Sequence, residues 1–537
     1  MPDPAPEAGS FDVAIIGGGI NGCGTFRDLC AQGVKCLLIE RDDFAAGASS
    51  ASSRLMHGGL KYLETGEFRL VRESLTERNM LLATAPHVVS ALPCIVPVRS
   101  WTGGIAGSLA RFLGIKAKLN DRGFAITALG LTLYDVYARN WRAMPTHRML
   151  STAALRREMP ALDPAIIGAG LYYEGQISYA ERLALELVLD GEALCPGSRA
   201  LNHAELLPPE GDRIVWRQAG IVRRARVKAV INAGGAWIDK VNAALGIESR
   251  LMGGSKGSHL VIENPALHAA LNGRMVYFGT ADGRVNLAYP LLGRVLLGST
   301  DIAVGDPDTA ACDENEAAYL RRAVSEVFPG IPVTEDQIVY RFCGVRPLPR
   351  ADGAEIGSVT RDHSIATLAL PGSTVPVYCL IGGKWTTFRA FSEQAADRVL
   401  TQLGRTRQVS TVGLPIGGGR DFPREPAART AMVAEFARLG GIAEARADTL
   451  LSRYGTRARG YCEALAGRGE TLLTALPSHA REELVHLCRT ERVGSLEDLL
   501  RRRTGIVLTG HASAAVVAEI ADLLPRLAPG RREPVEA

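Results

Sequence analysis

"FDVAIIGGGINGCGTFRDLCAQGVKCLLIERDD" occupies residues 11–43 and decides the fold. Residues 11–16 form a short apolar run suited to a buried parallel strand. The run leads directly into Gly17-Gly18-Gly19-Ile20-Asn21-Gly22. Gly17 allows a tight turn, Gly19 lets the backbone approach a pyrophosphate, and Gly22 lets the following helix pack on the strand. The helix start then offers free N–H groups and a positive dipole end to phosphates. Residues 34–39 form a second strand, with Glu40 at its end placed to bind ribose hydroxyls. A lone glycine motif is weak evidence. Strand, glycines, helix, strand and acid in this order predict a dinucleotide site, and an acid at position 40 argues against a 2′-phosphate.

The rest of the chain separates NAD from FAD. A flavin domain is discontinuous in sequence, with later segments returning to close around the cofactor. Two returns are present. "AVINAGGAW" (residues 229–237) is a strand ending in small residues, and its Gly234 lets the backbone pass close to the cofactor. "YCLIGGKWTTFRAFSEQAADRVL" (residues 378–400) reads as a strand, a turn at Gly382-Gly383, and a helix opening at Thr386-Thr387. A helix N-terminus at a flavin favours the negative charge that develops there, and Lys384 adds a full positive charge. A third stretch, "SSASSRLMHGGLKYLE" (residues 49–64), fits neither an amphipathic helix nor a strand. Its small residues suit close approach to a large flat ligand, and Arg54 and His57 bring charge and proton chemistry.

Composition agrees with an enzyme. A chain of 537 residues has room for two or more domains, and 47% hydrophobic with 22% charged residues is ordinary for a globular protein. A net charge of +4 gives no reason to expect nucleic acid. The ten cysteines contain no CxxC pair, so neither a metal site nor a disulfide framework is expected, and reduced thiols suit a cytoplasmic protein. "MPDPAPEAGS" (residues 1–10) has no basic residue and no apolar core, and reads as a disordered lead-in rather than a signal peptide. No stretch is apolar enough to span a bilayer, although "GGIAGSLARFLGIKAKL" (residues 103–119) could lie on a membrane surface or be buried.

Together these segments resemble the FAD-dependent glycerol-3-phosphate dehydrogenase and oxidase family. The resemblance rests on "IIGGGINGCG", "SSASSRLMHGGLKYLE" with "FRLVRESLTER", "GSKGSHLV", "LLGSTD", "CGVRPL", "GGKWTTFR" and "SLEDLLRRRTGI", and so covers nearly the whole chain. It implies an α/β fold: a glutathione-reductase-type FAD-binding Rossmann domain, a mixed-sheet substrate domain interleaved with it over residues 11–415, and a helical C-terminal cap over residues 416–537. It further implies oxidation of a secondary alcohol beside a phosphate ester to a ketone, with electrons passing to a quinone or to oxygen. Residues 49–59, including Ser49, Ser50, Gly58 and Gly59, are expected to wrap the FAD, with Gly383, Lys384 and Thr386 at the flavin. The cap can support dimerisation, and the quinone would place the protein at the inner face of the membrane.

Such a reaction needs a phosphate anchor and a base for the hydroxyl proton. An arginine fork binds phosphate oxygens in bidentate fashion, so Arg346 in "CGVRPL" is the first candidate anchor and Arg54 the second. Lys256 could assist. His57 and His259 are the candidate bases, since histidine titrates near neutral pH. Lys384 either stabilises the reduced flavin or orients the hydroxyl. Asp301 in "GSTD" orients a neighbour or caps a helix, outside the catalytic set.

One departure concerns the substrate. Family members commonly carry an acidic pair shortly before an arginine, where this chain reads "YYEGQISYAERLALEL" with Ser178, Tyr179, Glu181 and Arg182. That pair either shapes the substrate pocket or serves domain packing. From about residue 417 alanine, arginine, glutamate and leucine recur at helical spacing, after "PIGGGRDFPREP" (residues 415–426), which reads as a linker.

Overall fold

The computed structural model describes residues 7–59, 67–101, 123–138, 143–280, 282–351 and 359–523. The apolar segment at 103–119, residues 60–64 of "HGGLKYLE" and the last residues of the cap lie outside them. Val13–Ile16 is the centre of a six-stranded sheet, because four consecutive apolar residues are all buried and need cover on both faces. Cys36–Ile39 and Ala229–Asn232 flank it in parallel, Arg199–Leu201 and Pro376–Ile381 extend it in parallel, and Ser364–Ala369 adds an antiparallel edge. Strands from residues 13–39, 199–232 and 364–381 thus make one sheet, which is the discontinuous arrangement expected from the two returns. The helix Ile20–Ala31 is buried along nearly its whole length and packs against the helices Ala180–Leu194 and Phe388–Gln402.

A second, small sheet stacks Ala204–Glu210, Arg213–Gln218 and Ile221–Arg226 as an antiparallel meander. Glu7–Ser10 adds a parallel strand to its edge, so these residues are ordered pairing partners rather than the disordered lead-in expected there. The third sheet has ten strands of mixed direction, and it carries the chemistry. Its strands Ser255–Ile262 and Ile338–Arg346 run antiparallel with Ser255 opposite Arg346, Gly257 opposite Gly344 and His259 opposite Phe342. Side chains two apart share a face. Gly257 and His259 therefore look the same way as Phe342, Gly344 and Arg346. The helices Thr152–Glu158, Pro265–Leu271 and Glu314–Ser325 cover the other face with an apolar core that includes Leu155, Leu267 and Leu320.

The C-terminal region is helical, with its own core built from Val433, Phe436, Leu450, Tyr461, Leu484 and Ile520. The glycines expected in a linker are instead buried. A Cβ on Gly417 would meet Glu186, one on Gly418 the carbonyl of Tyr454, and one on Gly419 the carbonyl of Thr84. Charged pairs bolt the seam. Arg182 donates to both oxygens of Glu491 at 2.7 and 2.6 Å, and Arg503 donates to both oxygens of Asp43 at 2.7 and 2.9 Å.

Candidate active site

A cavity of about 620 Å³ lies between the six-stranded and ten-stranded sheets. Its lining contains Gly17, Gly19 and Glu40 from the opening motif, Gly234 from the first return, and Gly383, Lys384 and Thr386 from the second. The glycine roles are visible in space. Gly17 has φ +106° and a Cβ there would lie 2.6 Å from the Ala233 carbonyl; a Cβ on Gly22 would lie 1.9 Å from the Gly17 carbonyl. Gly22 therefore acts one step behind the wall, in helix packing. The helix Ile20–Ala31 has no cap from its own N-cap residue, Gly19; Ser49 Oγ, 29 positions away, accepts the Ile20 N–H at 2.9 Å. Glu40 Oε2 accepts the Gly18 N–H at 2.6 Å, and burial raises its pKa.

The segment 49–57 crosses the cavity, and the second return pins both of its ends. Trp385 Nε1 donates to the Ser49 carbonyl at 2.9 Å and Thr386 Oγ1 to the His57 carbonyl at 3.2 Å. Its middle lies on the ten-stranded sheet, where a Cβ on Gly344 would come within 2.3 Å of the Ala51 carbonyl. Small residues are thus required twice, toward the cavity and toward the sheet. Thr387 stands at the N-cap of Phe388–Gln402, so that helix opens where the sequence suggests.

Arg346 lies across Gly257, whose missing Cβ would sit 2.2 Å from the guanidinium. The group reaches the cavity wall held from behind. Nη1 donates to Asp301 Oδ1 at 3.0 Å and Nη2 to the Thr300 carbonyl at 3.0 Å and Ser299 Oγ at 3.1 Å. Asp301 also pairs with Arg361 at 3.5 Å, and Arg361 lines the same cavity. His259 stacks on Phe342 with ring centres 4.9 Å apart, and its Nε2 lies 2.7 Å from Ser53 Oγ. Burial, with Arg346 and Arg54 nearby, lowers its pKa to about 3. His57 lines the cavity beside Lys384 and is lowered to about 3 by burial and by that lysine. Burial likewise lowers Lys384 to about 8. Both imidazoles are therefore neutral at pH 7.

Several sequence expectations are not met by position. Arg54 is buried and off the cavity wall: it pairs with Glu181 through both guanidinium nitrogens and donates to the Ser178 carbonyl. Burial opposes its charge, but Glu181 outweighs this and raises its pKa. Lys256 points away, donating to Glu316 Oε2 at 2.6 Å and the Ala311 carbonyl at 2.8 Å. Ser50 bonds within its own turn to the Gly47 carbonyl. Gly58 is behind the wall, its N–H donating to Tyr134 Oη and Glu174 Oε2, and Gly59 is likewise absent from the lining. In the segment that departs from the family pattern, Glu181 holds Arg54 and Arg182 holds the cap.

Sequence reading missed Arg361, since nothing local in "VTRDHS" marks an arginine as cavity-facing, whereas Asp301, read as orienting a neighbour or capping a helix, holds Arg346 and Arg361. It also missed Asn21 inside the glycine motif. Asn21 Nδ2 donates to the Gly382 carbonyl at 3.2 Å, while Oδ1 is buried and accepts nothing from the described residues. That orphaned oxygen, the glycine cradle and the acid at position 40 fit a dinucleotide spanning the cavity.

The comparisons agree. Residues 12–388 match the model of the FAD dependent oxidoreductases, and residues 409–528 that of the C-terminal domain of alpha-glycerophosphate oxidase. The chain belongs to the FAD-dependent glycerol-3-phosphate dehydrogenase and oxidase family. Its relatives in that family include the glycerol-3-phosphate dehydrogenase of Synechocystis, 33% identical over 94% of this chain and 90% of its own, and that of Pseudomonas aeruginosa, 32% identical over 94% and 93%. The D-erythritol 1-phosphate dehydrogenase of Brucella abortus is 33% identical over 74% and 76%. The fold matches the crystal structure of the Bacillus halodurans glycerol-3-phosphate dehydrogenase complexed with FAD, with TM-score 0.71 and 22% identity over 96% and 90% of the two chains. FAD is the cofactor, and the protein is an oxidoreductase. No described helix is long and apolar enough to cross a membrane.

Proposed function

We propose that the protein oxidises sn-glycerol 3-phosphate to dihydroxyacetone phosphate and passes the electrons to a quinone. The observation that carries this reading is Arg346, a guanidinium braced by Asp301, Thr300 and Ser299 at the wall of the cofactor cavity, beside two neutral histidines. Bound FAD supplies the hydride acceptor. Gly17, Gly19, Glu40, Ser49, Gly234 and Gly383 would hold it. Arg346, with Arg361 beside it, would bind the phosphate by exchanging the Ser255 and Ser299 hydroxyls that each take one donor from a terminal nitrogen, with Asp301 and the Thr300 carbonyl still bracing it. His259 or His57 takes the hydroxyl proton, and each ring lies in a buried setting that keeps it unprotonated. Lys384 supplies positive charge at the flavin end of the cavity. Arg54 and Lys256 drop out of the substrate set because, unlike Arg346, neither lines the cavity: Arg54 is buried against Glu181 and Lys256 turns away to Glu316. Transfer to a quinone brings the protein to the membrane surface, and the cap offers a surface for a homodimer.

The test is anaerobic bleaching of the flavin by glycerol 3-phosphate, beside D-erythritol 1-phosphate and unphosphorylated glycerol. Fast bleaching by glycerol 3-phosphate alone establishes the reading. The Brucella relative supports a second reading, a longer polyol phosphate, and preferential bleaching by the erythritol ester would select it. No bleaching by either ester sinks the phosphate-ester reading. Floating the holoenzyme with quinone-loaded vesicles and sedimenting it alone test the surface and dimer assignments.

A further inference from the structure

Glu316 belongs to none of the motifs and is not among the residues lining the cofactor cavity, yet its carboxylate is the centre of a buried network. It sits at the third position of the helix Glu314–Ser325 and is 3% exposed. Oε1 accepts from Thr300 Oγ1 at 2.6 Å and from Ser258 Oγ at 2.8 Å; Oε2 accepts from Lys256 Nζ at 2.6 Å and from the Asp313 N–H at 3.2 Å. A capping box with Asp313 explains only the last of these bonds. The other three reach across to the ten-stranded sheet. Ser258 stands between Gly257, over which Arg346 lies, and His259. Thr300 stands in the turn whose carbonyl and two flanking side chains grip Arg346, and its Oγ1 also accepts the Ser258 N–H at 2.9 Å.

We infer that Glu316 is the positioning residue for the phosphate anchor: its carboxylate ties the strand bearing His259 to the Ser299-Thr300-Asp301 turn, and through that turn fixes where the Arg346 fork faces. The assignment rests on the phosphate-ester reading of the cavity. It also gives Lys256 a role, as the counter-charge that lets a carboxylate stay ionised in a buried position. Two oxygens with four donors leave little freedom for the turn. A guanidinium that must meet phosphate with both nitrogens is sensitive to displacements well below a bond length.

The test uses the FAD holoenzyme with Glu316→Gln and Thr300→Val. The second is a near-isosteric change that removes a donor to Glu316 and leaves Lys256 paired. Asp313→Ala is the control, since it breaks the capping box and a 3.6 Å ion pair to Lys256 while leaving the three bonds of Glu316 to the sheet in place. Both test variants are expected to raise KM for glycerol 3-phosphate, and Kd for inorganic phosphate by calorimetry, about tenfold, the scale of one charge-assisted hydrogen bond. kcat and FAD content should stay near the parent values. Asp313→Ala should lower the melting temperature and leave KM alone. Unchanged KM and phosphate Kd in Thr300→Val would overturn the assignment, whether or not Glu316→Gln folds. So would a parallel loss of FAD, kcat and phosphate affinity, the mark of a merely structural carboxylate. A parent holoenzyme that neither oxidises a phosphate ester nor binds phosphate would remove the underlying reading and this inference with it.

Discussion

The two walls of the cavity are built on different principles. The cofactor wall is mostly backbone: Gly17 at φ +106°, Gly22 under the Gly17 carbonyl, Gly382 and Gly383 at φ +81° and +96°, and N–H groups at a helix start. The substrate wall is mostly side chain: Arg346, Asp301, Arg361 and His259, braced by Ser53, Ser299 and Glu316. Backbone walls depend on what a residue lacks, and they fail when a Cβ is added. Side-chain walls depend on which atoms converge, and they fail by degrees when one is removed. The first kind should therefore break completely, and the second should lose affinity or rate while the cofactor stays.

Gly22→Ala tests the cofactor wall and should have the largest effect. Its new Cβ meets a backbone oxygen at 1.9 Å, with no flexible side chain to yield. The cost should lie at or above the ~3 kcal/mol end of ordinary overpacking. Purified protein should be nearly free of flavin with a lowered melting temperature. Full flavin content would show that the motif tolerates a side chain where helix and strand touch, and would blur the distinction between the walls.

Arg346→Ala tests the other wall. It removes two charge-assisted bonds to phosphate, each about 1.5–3 kcal/mol, so KM for the phosphate ester should rise by ~10²-fold or more. Flavin content should not change, because the four described bonds of Arg346 go to the 299–301 turn and Ser255 and none goes to the cofactor glycines. Equal losses of flavin and substrate affinity would mean that the two walls are one structure. Lys384→Ala is expected to act next most strongly. It should slow flavin reduction roughly tenfold or more, in line with removal of one electrostatic stabiliser, with the flavin retained. An unchanged reduction rate would take Lys384 out of the chemistry.

The same contrast explains what could be read from the sequence. The cofactor wall was legible because a strand, three glycines, a helix and an acid are dictated locally within residues 11–43, where each glycine answers a backbone demand. The returns at residues 229–237 and 378–400 were legible for the same reason. The substrate wall was read only where a recurring motif marked it, as "CGVRPL" marked Arg346. Arg361 and Glu316 carry no local mark: Arg361 lines the cavity beside Asp301, and Glu316 reaches the sheet behind the cavity because its helix crosses Ser258 and Thr300. Arg54 shows the reverse error. Its place in "SSASSRLMH" suggested substrate, but a positive φ of 50° turns it inward to Glu181, a partner 127 positions away. Likewise the three glycines at 417–419 look like a linker in one dimension and are a buried crossing point in three.

The smallest expected effect is on the pH dependence of stability, and it probes the substrate wall without substrate. His259 titrates near 6.5 in the unfolded chain and is lowered to about 3 in the fold, chiefly by burial and then by Arg346. Between those limits the unfolded chain binds a proton that the folded chain refuses, so stability rises with pH across this window and is lost as pH falls through it. One such group contributes a slope of about 1.4 kcal/mol per pH unit. His57 behaves alike, with Lys384 as its neighbouring charge. His259→Gln should therefore flatten the acid side of the melting-temperature profile of the FAD-loaded protein while leaving its neutral value little changed. The acid limb of kcat/KM should also fall well below the ordinary histidine pKa, because the ring that accepts the proton is already neutral there. A parent profile whose slope the variant does not alter would mean that His259 is charged in the folded protein. It would then be a phosphate contact beside Arg346 rather than a base, and the proton would have to go to His57.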